Sequence, residues 1–130
     1  KFISYTFTDN ILYINIENCI IPNDKEFDEC LQWFNEIFVN IIKNPFRMVI
    51  NLEKIIMVHL SQIMKWIFLF KKVNPIIEQK LIATAIICES DISEKMLNMF
   101  FAFYTPVRPT QIFKKNDDYS IFFNNEIFKN

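Results

Sequence analysis

The chain contains no glycine in its 130 residues. At the average usage of roughly 7%, about nine glycines would be expected. Glycine is needed where backbone N–H groups must approach a phosphate closely. Its absence therefore excludes the Walker A loop, the dinucleotide-binding loop and the kinase glycine-rich loop, together with the glycine-flanked serine of α/β-hydrolases.

The remaining composition is that of a folded domain. Apolar residues make up 52% of the chain, which is enough to bury one core, and we predict a single domain over residues 1–130. The 14 basic and 15 acidic residues are mixed along the chain, so no basic face favours nucleic-acid binding. The longest apolar runs are too short to span a membrane.

Cysteine usage bears on the compartment. Cys19, Cys30 and Cys88 form no Cys-x-x-Cys pair, and an odd number leaves one thiol over under any pairing. Free thiols are typical of reducing conditions, so we predict an intracellular compartment, either the cytoplasm or an organellar matrix.

The spacing of apolar residues alternates between the period of a strand and that of a helix. Apolar and polar residues alternate on either side of Asp9-Asn10, which tolerates left-handed turn geometry, so an opening β-hairpin is predicted. The predicted elements are, in order, strands 2–8 and 11–17, helix 25–43, strand 46–52, helix 62–73, strand 81–88, a helix ending at Tyr104, strand 110–114 and a last helix to about residue 128. This order indicates an α/β fold whose central four- or five-stranded sheet is mostly parallel, with strands 46–52 and 81–88 adjacent and parallel.

Helix boundaries are marked by residues that cap or break helices. Asn23 or Asp24 is predicted to cap the first helix, and Ser61 the second, because their side chains accept bonds from the first backbone N–H groups. Asn74-Pro75 is predicted to end the second helix, since proline has no N–H to donate.

The middle of the chain carries a recognisable order of residues. An apolar strand and a short apolar loop lead into a helix, and the residues that mark this order are Asn51-Leu52 and His59-Leu60-Ser61-Gln62. The stretch resembles the STAS domain, the fold of bacterial anti-sigma factor antagonists and of the cytoplasmic tail of sulfate transporters. In that family the strand ends in Asp-Leu and the helix opens with Asp-Ser-Ser-Gly. The resemblance extends over nearly the whole chain in element order.

The motif differs from the family pattern at the positions that matter for regulation. Leu60 stands where the family has its phosphorylated serine, and Ser61 aligns with the second serine. His59 replaces the acidic residue and Gln62 the glycine, while Asn51 replaces the aspartate of the strand. The resemblance therefore implies a STAS-like fold without the phosphorylation switch, and Ser61 is expected to serve as a helix cap.

The second and third predicted helices are apolar nearly all the way round. A helix packed on one face of a sheet needs only an apolar stripe, so the surplus predicts a further burial partner. Trp66, Phe70, Met99 and Phe103 are the candidate interaction residues, because aromatic residues and methionine are favoured at interaction surfaces. The alternative is dense packing between neighbouring helices.

These features favour a non-enzymatic interaction domain, a scaffold or assembly subunit that binds a protein partner or another copy of itself. An alternative is a carrier or sensor of an apolar ligand such as a lipid, whose pocket the aromatic residues would line. A third is an enzyme that uses His59, Ser61 and Glu53, which have the residue types of nucleophilic catalysis but no motif that fixes their geometry. We expect no enzyme, no catalytic residue, no cofactor and no metal, because His59 has no further zinc ligand nearby in sequence.

Overall fold

The computed structural model describes residues 3–17, 23–55 and 59–126. Their strands form one five-stranded sheet in the order β1-β2-β3-β4-β5. The strands are Ile3–Thr8 (β1), Ile11–Ile16 (β2), Phe46–Asn51 (β3), Leu81–Ile87 (β4) and Thr110–Phe113 (β5). β1 pairs with β2 antiparallel, and every later pair is parallel. The predicted α/β fold, its opening hairpin and the adjacent parallel strands β3 and β4 are thus confirmed.

The opening hairpin turns without glycine. Asp9 and Asn10 hold φ angles of 53° and 61°, in the left-handed region that these two residue types tolerate. Thr8 faces Ile11 across this two-residue turn. Consecutive positive φ values match the right-handed twist of the flanking strands, so the local chemistry of the turn sets the register of the whole hairpin.

Helices cover both faces of the sheet. They are Asp24–Glu36 (α1), which continues as a π-helical segment over Ile37–Ile41, then Leu60–Lys80 (α2), Asp91–Phe103 (α3) and Ser120–Asn125 (α4). Side chains of α1, α2 and α3 bury against one face of the sheet, which we call the three-helix face. Only α4 among the described helices packs on the other, which we call the α4 face.

Asn23 caps α1 as the sequence predicts. Its Oδ1 accepts a hydrogen bond of 2.8 Å from the backbone N–H of Glu26. Glu26 Oε1 in turn accepts a hydrogen bond of 2.9 Å from the side-chain amide of Asn23, so two bonds between these residues hold the first turn. Phe27 and Phe34 project from this helix into the core and are buried.

The predicted end of α2 is wrong, because the helix continues through Pro75 to Lys80. Pro75 lies on the exposed side of the helix. Val73 and Ile77, on either side of it, are buried against the sheet. Burying two such side chains contributes roughly 1.5–3 kcal/mol each, enough to offset the ~3 kcal/mol that an interior proline costs.

The two faces of the sheet bury different kinds of residue. Phe38, Phe46 and Met48 are among the large side chains buried on the three-helix face. The α4 face buries Ala83 and Ala85 beside α4, together with Phe113 and Phe123. Two of the three alanines in the chain thus lie where the shortest helix approaches the sheet.

Candidate functional site

The STAS-like motif lies where β3 ends and α2 begins. Asn51 is the last residue of β3, and its side chain forms hydrogen bonds with the turn that follows. Its Oδ1 accepts a hydrogen bond of 2.9 Å from the backbone N–H of Glu53, and its Nδ2 donates one of 3.3 Å to the Glu53 carboxylate. Asn51 therefore shapes the loop that leads toward α2. Residues 56–58 of that loop are outside the described residues.

Ser61 does not cap α2, so that prediction is wrong. His59 occupies the N-cap position with extended backbone angles, and the helix begins at Leu60. Gln62 is buried, and its Oε1 accepts a hydrogen bond of 3.2 Å from the backbone N–H of His59. In a capping box this is the bond from the N-cap backbone to the side chain three residues later. Because Gln62 fixes the first turn in this way, Ser61 is left exposed within it.

Glu53, the candidate acid of a catalytic set, is engaged elsewhere. Its carboxylate accepts the Asn51 amide and lies 3.7 Å from the Lys115 ammonium. His59 is exposed at the start of α2. In the three described stretches of chain, no group of three or more His, Cys, Asp and Glu side chains is placed to hold a metal ion.

Of the predicted interaction residues, Trp66 and Phe70 lie between the helices and the sheet. Trp66 packs edge-on against Phe34 of α1, with ring centroids 5.1 Å apart. Phe70 contacts Phe100 and Tyr104 at the α3 side, each at 5.6 Å. Both residues are half-buried and serve contacts within the domain, so they do not form an outward surface with Met99 and Phe103.

Met99 and Phe103 do lie outward, and the structure adds partners for them on α2. The large apolar residues exposed on these two helices are Phe68 (65%), Leu60 (57%), Phe103 (54%), Ile92 (51%) and Met99 (41%). We call these five residues the α2–α3 surface. Met64 and Met96 pack against a cluster that contains residues of α2, so the α2–α3 surface belongs to two helices that are in contact.

Sequence reasoning missed Phe68, although the sequence carried a signal for it. Phe68 follows Ser61 by seven residues and precedes Lys72 by four, so a helix places all three on one face. The polar residues mark the outer side of α2, and Phe68 lies among them. The nearly continuous run of apolar residues obscured that face.

An apolar cavity of about 140 Å³ lies between the three-helix face of the sheet and its helices. The side chains that line it include Ile50, Trp66, Phe70, Ile86, Met96 and Phe100. Arg108 is at its margin, where its guanidinium donates to the backbone carbonyl of Glu78. Tyr104, also in the lining, donates 2.6 Å to Asn74, and burial raises the pKa of its hydroxyl.

The described cysteines form no disulfide. Cys30 is half-buried and Cys88 is buried, while Cys19 lies outside the described residues.

None of the helices that the structure describes is long and apolar enough to cross a bilayer.

Comparison with known proteins gives information on the fold. Neither protein-family models nor curated proteins match the chain. A solved structure that is similar is an uncharacterized protein of the DUF3478 family with a SpoIIAA-like fold, from Shewanella loihica PV-4. The two share 11% sequence identity at a TM-score of 0.59, over 92% of this chain and 89% of that one. Together with the hairpin and the five-stranded sheet, this likeness shows that the chain has a SpoIIAA-like, and hence STAS-like, α/β fold.

Proposed function

We propose that this chain is a non-enzymatic protein-interaction domain that binds a protein partner through the α2–α3 surface. The observation that carries the proposal is the grouping of five exposed apolar side chains on two neighbouring helices. Contiguous apolar patches are uncommon on monomeric proteins and are typical of interaction sites. Aromatic residues and methionine, as in Phe68, Phe103 and Met99, are enriched in protein–protein interfaces.

Packing among the described residues leaves most of the Phe68 ring exposed. Trp66 and Phe70, two residues before and after it, are the aromatic residues with which α2 contacts rings of the core. Burying a phenylalanine that water surrounds is worth roughly 1.5–3 kcal/mol, so Phe68 is suited to be the anchor of an interface. The inner and outer sides of α2 therefore have separate roles: the inner side packs within the domain, and the outer side binds the partner.

Leu60 adds a regulatory aspect to this proposal. It is exposed at the start of α2, at the position where the resembled family carries its phosphorylated serine. An apolar side chain there contributes contact area and accepts no phosphate. We infer that binding at the α2–α3 surface is not controlled by phosphorylation of that position.

Phe68→Glu and Phe103→Glu test the interface. We expect each to weaken association by about tenfold or more, because a carboxylate at an interface centre loses apolar burial and must be desolvated. Association is measured by pull-down from the native source and by light scattering, with circular dichroism to verify folding.

Ile121→Glu is the matched control. Ile121 is 71% exposed, but it lies on α4, across the sheet from α2 and α3. The control should fold and associate as the unchanged protein does. Equal association by Phe68→Glu and Ile121→Glu would show that the α2–α3 surface is not the interface.

A second candidate function is the binding of an apolar ligand, and the cavity is the observation that favours it. Its volume of about 140 Å³ is close to that of an engineered cavity of about 150 Å³ that binds benzene. It is smaller than the roughly 300–1,000 Å³ of pockets that hold drug-sized molecules. The cavity is suited to a small apolar molecule, whereas a whole lipid would require the helices to move apart.

Leu97→Phe tests this second candidate. Leu97 is buried and lines the cavity, so the larger ring should occupy part of its volume. Benzene added to the unchanged protein should raise its melting temperature, and the variant should lose that response. Mass spectrometry of a detergent-free preparation then shows whether a natural apolar ligand co-purifies. A melting temperature that benzene leaves unchanged in the unsubstituted protein would rule out binding of such molecules.

A further inference from the structure

The two edges of the sheet are protected to different degrees. β5, at one edge, has only four residues and is preceded by Pro109 and followed by Lys114 and Lys115. Short length, proline and lysine are features by which proteins prevent unwanted strand pairing. β1, at the other edge, has six residues with the sequence ISYTFT, which contains no proline and no charge, and it pairs with β2 without a bulge.

The geometry of the hairpin determines which backbone groups of β1 are available. In a two-residue turn the flanking residues, here Thr8 and Ile11, form a hydrogen-bonded pair. Alternate residues of β1 therefore direct their N–H and C=O groups toward β2, and the residues between them direct these groups outward. Tyr5 and Phe7 belong to the outward set, and among the described strands only β2 pairs with β1.

Helix α1 lies beside this edge of the sheet. Trp33 of α1 contacts Tyr5, with ring centroids 4.9 Å apart. Glu29 and Glu36 lie four residues before and three residues after Trp33, so they share its face of the helix, and both are exposed. The edge of β1 is thus flanked by aromatic rings and by carboxylates.

We propose that the outer edge of β1 binds an extended segment of a partner protein in which apolar and basic residues alternate. The segment would add a strand to the sheet, and the outward N–H and C=O groups of Tyr5 and Phe7 would bond its backbone. Its apolar side chains would pack on the exposed rings of Tyr5 and Phe7, and its lysines or arginines would pair with Glu29 and Glu36. This site is separate from the α2–α3 surface.

Charge favours this occupant over a second copy of the chain. α1 carries five acidic residues and one lysine. A β1–β1 pair related by a two-fold axis would place two such helices on the same face of one continuous sheet, where their like charges repel. A basic strand meets the opposite charge at the same position.

The probe is a short acetylated peptide that alternates Lys and Val, and the control peptide alternates Glu and Val. With the ¹⁵N-labelled full chain, we expect the basic peptide to shift the Tyr5 and Phe7 amide signals and to protect both amides from exchange. Its affinity should exceed that of the acidic peptide by about tenfold at low salt, and the difference should shrink as salt screens the charges. Equal affinity of the two peptides, or signal changes confined to α2 and α3, would overturn the proposal.

Phe7→Pro tests the backbone contact, because it removes an outward N–H and leaves the bonds between β1 and β2 in place. We expect about a tenfold loss of affinity beyond that of Phe7→Thr, which also lacks the ring but keeps the N–H. If the proline variant fails to fold, Glu29→Lys with Glu36→Lys provides the test, since charge reversal should also reduce affinity for the basic peptide by about tenfold. Unchanged affinity in the double lysine variant, or self-association of the unchanged protein that Phe7→Pro abolishes, would contradict the basic-strand assignment.

Discussion

The two faces of the sheet achieve burial by different means. The three-helix face is built from large rings, with Phe34 and Phe38 of the first helical segment 5.0 Å apart and Phe34 and Trp66 5.1 Å apart. The α4 face is built around the small side chains of Ala83 and Ala85, which are fully buried beneath one six-residue helix. Small residues allow a helix to approach a sheet closely, whereas large rings hold helices farther away.

This difference explains where the cavity lies. Rigid rings of similar size leave gaps that small side chains would fill, and the cavity of about 140 Å³ lies on the face where the rings concentrate. The three-helix face therefore combines most of the apolar burial with an apolar cavity.

The largest effect is expected for Phe34→Ala, on the three-helix face. Phe34 is buried, contacts rings of α1 and α2 and lines the existing cavity, so its removal enlarges that cavity. We expect the free energy of unfolding to fall by about 3–5 kcal/mol, measured by urea denaturation. A fall below 1 kcal/mol would show that the helices can close the gap, and that the face is less rigid than its ring contacts indicate.

A smaller, local effect is expected for Phe123→Ala on the α4 face. Phe123 is buried, and the Arg47 guanidinium lies 5.9 Å above its ring and donates to the carbonyl of Glu126. Because α4 has only six residues, it can detach while the sheet stays folded, so we expect a global loss below about 3 kcal/mol. Hydrogen exchange should show faster exchange in α4 and unchanged protection in β3 and β4. Simultaneous loss of protection in the strands would mean that the two faces unfold as one unit.

The smallest expected effect is a loss of stability at high pH, which can be compared for one tyrosine on each face. Burial raises the pKa of Tyr104 on the three-helix face, and burial followed by the neighbouring Tyr13 raises that of Tyr119 on the α4 face. A raised pKa favours the neutral hydroxyl in the folded state. This stability is present below about pH 10, the ordinary pKa of tyrosine, and is lost as the pH rises beyond it.

Tyr104→Phe should lower stability by about 1 kcal/mol at pH 7, through loss of the bond to Asn74. The difference from the unchanged protein should narrow above pH 10, because the variant has no hydroxyl to ionise at this position. Tyr119→Phe is the matched variant for the other face. Urea denaturation across this pH range checks both. Parallel curves for Tyr104→Phe and the unchanged protein would show that Tyr104 ionises equally in folded and unfolded chains.

The fold could be predicted from the sequence where one period dominates. The hairpin around Asp9-Asn10 and the buried strands β3 and β4 have patterns that fit a single type of element, and they are found as predicted. The end of α2 could not be predicted from local signals. Asn74-Pro75 is a helix-ending pair by its own chemistry, but burial of Ile77 against the sheet, a contact distant in sequence, extends the helix beyond it.

The candidate surface was only partly predictable for a related reason. Between Ile63 and Phe70 every residue of α2 except Lys65 is apolar, which removes the periodicity that distinguishes the inner from the outer face. Met99 and Phe103 are exposed as the interaction hypothesis requires, while Trp66 and Phe70 are half-buried among other rings. Which aromatic residue of α2 lies outward depends on how α1 and α3 flank it, and that arrangement is set by tertiary packing.

The strand order has a consequence for how the chain is made. In this sheet each strand lies beside its immediate predecessor in sequence, from β1 to β5. A ribosome releases the amino-terminal strands first, so every later strand emerges when the neighbour it pairs with is already available. After the opening hairpin, each added strand closes a loop that contains one helical segment and not the whole chain, so the entropy lost on closure stays small. The nascent chain can therefore extend its sheet by one strand and one helix at a time, and β5 completes it without displacing any strand placed before.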